Sequence, residues 1–146
     1  MLMQSSTDRR VLLVDHNPHV RHAIALMLEA LDADVVEAED AIEALSLYAR
    51  RPFDVVLTDF NLPGMQGDEL AEELKSFDPA QRVILITGYA QHVKLKRQAL
   101  IFVDEILPKP CTLEQLSFAM ARSRPAACPL GVPVALPPSP LSSQLN

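Results

Sequence analysis

The amino-acid sequence predicts an α/β protein, a doubly wound parallel sheet of five strands with helices on both faces. Five short strand-like stretches, at residues 11–14, 35–36, 53–58, 83–86 and 104–107, draw their apolar residues mainly from Val, Ile and Leu, as buried strands do, although the last opens with Asp104-Glu105. Between them lie segments whose apolar residues recur at helical spacing. Strands alternating with helices imply parallel pairing through crossovers, with both faces of the sheet covered. At 146 residues and 49% hydrophobic composition, the chain is long enough for one domain with a core of its own.

Taken in order, the first run, Val11-Leu12-Leu13-Val14, stops at Asp15-His16-Asn17-Pro18. Asn17 suits an N-cap and Pro18 the first helical position, so a helix is expected over 18–31 with Val20, Ile24, Leu28 and Leu31 facing inward. Val35-Val36 forms the second strand, and a helix over 41–50 follows with Ile42, Leu45 and Leu47 as its apolar side. The third strand runs into Asp59 and then a Pro63-Gly64 turn, after which a helix over 68–77 points Leu70, Leu74 and Phe77 at the core. The fourth strand ends in Thr87-Gly88, and the next helix is expected over 91–100, with Lys94, Lys96 and Arg97 on a solvated side. The fifth strand ends in Pro108-Lys109-Pro110. A last helix over 112–122 can be capped by Thr112, with Gln115 three residues on. The expected organisation is a flexible N-terminus at 1–8, one folded domain at 9–123 and a disordered tail at 124–146. That tail carries six prolines and no periodic pattern.

A net charge of −6 argues against a protein that coats nucleic acid. Cys111 and Cys128 stand in unlike contexts, which fits neither a disulfide framework nor a zinc knuckle. Residues 1–10 are mostly polar, with no secretory signal, and no apolar run nears the roughly 18 residues of a membrane span. The expectation is a cytoplasmic protein with reduced thiols and no membrane partner.

The chemistry is expected where the strands end. In a parallel sheet the carboxyl ends of the strands share one edge, so Asp15 and His16, Asp59, Thr87 and Lys109 should converge there. Two carboxylates, a hydroxyl and an ammonium around one crevice suit a phosphoryl group together with a hard divalent cation such as Mg²⁺. A carboxylate can act as the nucleophile and form an acyl phosphate, while the lysine offsets the charge of the transferring group.

Four segments in this order resemble the receiver domain of bacterial two-component response regulators, the CheY-like superfamily. They are Val14-Asp15, Thr58-Asp59-Phe60-Asn61-Leu62-Pro63-Gly64-Met65-Gln66-Gly67, Ile86-Thr87-Gly88-Tyr89 and Leu107-Pro108-Lys109-Pro110. Together they span about residues 9–122, and the Thr-Gly-Tyr and Leu-Pro-Lys-Pro versions look most like receivers of hybrid sensor kinases. The resemblance implies a flavodoxin-like (βα)5 sheet in the order 2-1-3-4-5. It implies that Asp59 accepts phosphate from a sensor histidine kinase or a histidine phosphotransfer protein. It also implies Mg²⁺ held by Asp15, Asp59 and the backbone carbonyl of Asn61, with Thr87 and Lys109 turned to the phosphate, and a cis Lys109-Pro110 bond. Such a module is a signalling switch rather than an enzyme on an external substrate. It contacts a downstream protein through its fourth helix, fifth strand and fifth helix, and pairing as a homodimer is compatible with it.

Two residues depart from the family pattern. His16 stands where a second acid usually binds the metal, which removes a negative charge and substitutes a softer donor, so Mg²⁺ should bind weakly. Ile106 stands where a switch aromatic is usual, leaving Tyr89 or Phe102 to compensate. The main expectation is a stand-alone receiver that switches protein contacts on phosphorylation of Asp59. One alternative is a degenerate receiver that binds its partner without phosphate. Another is a phosphatase with Asp59 as nucleophile, although Asn61 occupies the position where a general acid is wanted. His16, His19 and His22 recur every third residue and read as solvated helix histidines rather than a metal site, and Cys111 reads as a packing residue.

Overall fold

The computed structural model describes residues 9–88 and 101–121. Five parallel strands, β1 (Arg9–Val14), β2 (Ala33–Ala38), β3 (Val55–Asp59), β4 (Arg82–Thr87) and β5 (Glu105–Pro108), form one sheet in the order β2-β1-β3-β4-β5. Both the fold class and the strand order are those expected. The described helices are α1 (Pro18–Ala30), α2 (Ala41–Arg50), α3 (Gly67–Phe77) and α4 (Leu113–Ala121). The helix expected over 91–100, with its basic side, lies outside the described residues, as do Tyr89, Cys128 and both chain termini.

Alternation along the strands builds two cores. Successive side chains of a strand point to opposite faces, and β1 shows the consequence. Val11 and Leu13 pack with Ile24, Ala25 and Leu28 of α1 and with Leu116, Ala119 and Met120 of α4. Leu12 and Val14 pack with Ala41 and Ala44 of α2 and Leu70, Ala71 and Leu74 of α3. Strands β1, β3 and β4 are therefore buried on both sides, which is why their sequence reads as continuous apolar runs.

The helix starts follow the local chemistry. The Asn17 side chain accepts the N–H groups of His19 at 2.9 Å and Val20 at 3.2 Å, ahead of Pro18. Thr112 and Gln115 form the reciprocal cap expected of them: the Thr112 hydroxyl accepts the Gln115 N–H at 3.1 Å, and the Gln115 side chain accepts the Thr112 N–H at 2.8 Å.

Two inward-facing assignments are corrected. Ile42 is 71% exposed, because α2 seats on the sheet through Ala41 and Ala44, with Leu45, Leu47 and Tyr48 partly buried beside them. Small side chains let that helix approach closely, and Ile42 is left outside the contact face. Phe77 is 63% exposed. As the last residue of α3 it overhangs the sheet and stacks on Tyr48, with ring centroids 6.4 Å apart.

Candidate functional site

Strand register assembles the site. Val14 lies beside Thr58, so Asp15 and Asp59 leave adjacent strands at the same level. Asp59 lies beside Ile86, and Thr87 beside Pro108, so Thr87 and Lys109 follow on the other flank. Asp15, Asp59 and Thr87 are buried despite their polarity. That combination at the carboxyl edge of an open sheet marks a binding crevice.

Lys109 ties the two acids together. Its Nζ lies 3.2 Å from Asp15 Oδ2 and 3.2 Å from Asp59 Oδ2. Lys109 is itself reached by a hydrogen bond from its N–H to the Thr87 carbonyl at 2.9 Å, ahead of a cis Lys109-Pro110 bond. One ammonium facing two carboxylates leaves the cluster with an excess of negative charge. Burial pushes the Asp59 carboxyl above its ordinary pKa; Lys109 pulls it back down, Asp15 pushes it up, and the Asn61 backbone lowers it.

The acid oxygens are incompletely partnered. Asp59 Oδ1 is buried with no hydrogen-bond partner, and Asp15 Oδ2 has only the ion-pair contact with Lys109, outside hydrogen-bond geometry. Buried polar atoms are rarely left this way, and when they are, a ligand commonly completes them. Two carboxylate oxygens of this kind suit a hard cation with oxygen preferences. His16 is exposed and Asn61 is exposed, at the lip rather than in the floor of the crevice. Among the described residues no group of three or more His, Cys, Asp or Glu side chains is placed to hold a metal ion. His19 and His22 are exposed on α1, in keeping with solvated histidines.

The surrounding contacts fix the acids in place. Asp15 donates its N–H to Ala38 O at 3.1 Å, its Oδ1 accepts the Asn17 N–H at 2.9 Å, and its carbonyl accepts Arg21 Nη1 at 2.8 Å. Behind Asp59, the first residue of α3 comes unusually close. Gly67 donates to the Phe60 carbonyl at 2.9 Å, and a Cβ there would strike the Asp59 carbonyl oxygen, the Phe60 Cα and the Leu85 side chain. Gly64 has φ 79° in the turn after β3, the left-handed region that glycine tolerates. The Thr58 hydroxyl donates to the Asp59 carbonyl at 3.0 Å, and the Thr87 hydroxyl to Gly88 O at 3.2 Å.

Arg21 is a residue that the sequence pattern did not single out. It shares α1 with a single other charged residue, Glu29, and its partner Glu37 belongs to another element, so no local spacing announces the contact. Cys111 is buried in the core beside the site, and burial pushes its thiol pKa up, away from reactivity. Ile106 lies partly buried on β5 next to Leu85, and Phe102 packs against the α2–α3 side of the sheet. No described helix is long and apolar enough to cross a membrane.

A family model described as the response regulator receiver domain matches residues 11–121. The chain is 34% identical over 108 residues to a response regulator receiver protein of Anaeromyxobacter sp., covering 74% of this chain and 45% of that one. It is 31% identical over 102 residues to the chemotaxis protein CheY of Halobacterium salinarum, covering 70% of this chain and 85% of that protein. It is 30% identical over 117 residues to the sensor histidine kinase RcsC of Salmonella typhi, covering 80% of this chain but only 12% of the kinase. The chain thus spans a small fraction of the sensor kinases it matches. Among solved structures it is similar to a receiver domain protein of Clostridium thermocellum, with a TM-score of 0.72, 27% identity and coverage of 77% of this chain and 91% of the other. It is also similar to the response regulator TrrA of Thermotoga maritima, described in complex with Mg²⁺-BeF, with a TM-score of 0.72, 25% identity and coverage of 78% and 97%.

Proposed function

The chain belongs to the response regulator receiver domain family, and on that premise we propose that Asp59 is the phosphoacceptor of a two-component signalling module. The observation that carries the reading is the buried Asp59 carboxylate, with one oxygen unpartnered and the other 3.2 Å from Lys109. An Asp59 oxygen attacks the phosphorus of a phosphohistidine on a histidine kinase or phosphotransfer protein. The phosphorus–nitrogen bond breaks, its electron pair stays on the imidazole, and an acyl phosphate forms on Asp59. Lys109 offsets charge on the transferred group, and Thr87, the last residue of β4, offers it a hydroxyl. The added charge and acceptors shift the balance between two surface arrangements, and partner proteins distinguish them.

Asp15, Asp59 and the Asn61 backbone carbonyl are the groups that would hold Mg²⁺, which neutralises negative charge between acid and phosphoryl group when bound. The two orphaned acid oxygens and the likeness to TrrA, described with Mg²⁺-BeF, support a metal here. His16 supplies no carboxylate, so the binding is weak for the family. That same substitution favours the second reading, a receiver that binds its partner with little control by phosphate.

Incubation with Mg²⁺ and acetyl phosphate, followed by intact-mass measurement, tests the proposal. A single phosphate adduct in the wild type that is lost in Asp59→Asn and grows in His16→Asp is the expected result. No adduct in the wild type but one in His16→Asp would replace the phosphoacceptor reading with the phosphate-independent one.

A further inference from the structure

We propose that Arg21 is a positioning residue for the acidic site, acting through Asp15. This rests on the reading of Asp15 as a cation-holding acid given above.

The argument starts from how Asp15 is held. Four contacts converge on this one residue: the Ala38 carbonyl of β2 takes its N–H at 3.1 Å, the Asn17 N–H meets Oδ1 at 2.9 Å, Lys109 Nζ faces Oδ2 at 3.2 Å, and Arg21 Nη1 donates to its carbonyl at 2.8 Å. The first two are backbone donors or acceptors whose places are set by the sheet and by the start of α1. Lys109 is part of the reacting cluster. Among the described residues, Arg21 alone reaches Asp15 from a side chain with no place in that cluster, and it is itself anchored.

That anchor is Glu37 on β2, whose Oε1 lies 2.8 Å from Arg21 Nε. The guanidinium is a rigid planar fork, so a donor pinned to Glu37 leaves Nη1 aimed in one direction. The Arg21 side chain is only 18% exposed, so its geometry is not averaged away by solvent. β2, α1 and the end of β1 are thereby joined at the residue whose Oδ2 points into the crevice. The hydrogen bond meets the backbone carbonyl of Asp15, so it fixes where the chain turns from β1 toward His16 and with it the direction of the carboxylate. Groups that orient a ligating carboxylate commonly carry about tenfold or more of metal affinity. Here the demand on Asp15 is heightened, because exposed His16 offers no second carboxylate.

Charge and positioning make opposite predictions. If Arg21 acted only as a nearby positive charge, removing it would strengthen the binding of a cation at Asp15. If it positions Asp15, removing it weakens binding. If it merely braces the fold, removing it lowers stability and leaves the cation affinity alone.

The test is an Mg²⁺ titration of the full chain followed by the amide resonances of Asp15, His16, Asn17 and Asp59, with no phosphodonor present. Wild type, Arg21→Ala, Arg21→Lys and Glu37→Gln are compared, with thermal midpoints measured alongside. The expected result is an Mg²⁺ dissociation constant about tenfold higher in Arg21→Ala. Partial recovery is expected in Arg21→Lys, which keeps one donor but not the fork. A smaller rise is expected in Glu37→Gln, which frees the fork, and these two variants carry the test if Arg21→Ala does not fold. An unchanged or tighter Mg²⁺ constant in Arg21→Ala, whatever its thermal midpoint, overturns the proposal. A wild type that responds to Mg²⁺ but forms no phosphate adduct overturns the phosphoacceptor reading and leaves this one standing, whereas a wild type with no Mg²⁺ response overturns this one.

Discussion

Asp59 holds its carboxyl in a place that disfavours charge. Burial raises its pKa, Lys109 lowers it and Asp15 raises it again, with the net shift upward. The folded protein therefore holds this proton more tightly than the unfolded chain does. Stability contributed at this residue is greatest in acid, falls as pH climbs from the ordinary carboxylate range through the raised value, and stays low above it. Asp59→Asn keeps the shape and removes the charge. It should raise the urea midpoint at pH 7, with the gain shrinking to nothing below about pH 4. A variant less stable than wild type at pH 7 would show that the Lys109 ion pair outweighs the burial of the charge. Sequence reasoning placed Asp15, Asp59, Thr87 and Lys109 on one edge because each follows an apolar run. It could not see that Lys109 lies at equal distances from both acids, since that depends on where the turn after β5 carries the side chain.

At the scale of elements, α3 is seated by a residue with no side chain. The N–H of Gly67 meets the Phe60 carbonyl, and its missing Cβ leaves room for the Asp59 carbonyl, Phe60 and Leu85. Alanine at a helical position normally gains about 1 kcal/mol over glycine. Here the added methyl has backbone on two sides, and backbone does not rotate away as a flexible side chain does. Gly67→Ala should therefore lower stability by about 1–3 kcal/mol in urea unfolding, the range for overpacking, and reduce the yield of phosphorylated Asp59 in the same preparation. A variant as stable as wild type would mean that α3 can shift outward without loss. The glycine was legible as part of a motif, but its reason was not: the contact joins the start of α3 to β4 and the end of β3.

Across the whole molecule, β3 is the central strand of the sheet and, like its neighbours β1 and β4, serves both cores. Val55 and Leu57 face the α1–α4 side and Val56 the α2–α3 side, while the strand pairs with β1 and β4 along its length. Leu57→Ala should cost about 2–5 kcal/mol of unfolding free energy, read as a lower urea midpoint in a single transition. Ile42→Ser, at the exposed residue first expected inside, should stay within about 0.5 kcal/mol of wild type. What the sequence determined by itself was everything periodic or local. The strands show as apolar runs because they are buried twice. The caps at Asn17 and Thr112 show because their partners lie within three residues. The strand-end acids show because parallel strands share an edge. Tertiary structure decided what requires knowing which surfaces meet: that α2 packs by alanines and leaves Ile42 in water, that Phe77 overhangs onto Tyr48, and that Arg21 and Glu37 close on Asp15 from two elements. Periodicity names the face of a helix only approximately. The approach distance between packed elements, which chooses small residues over large ones, is a property of pairs of elements that no single segment encodes.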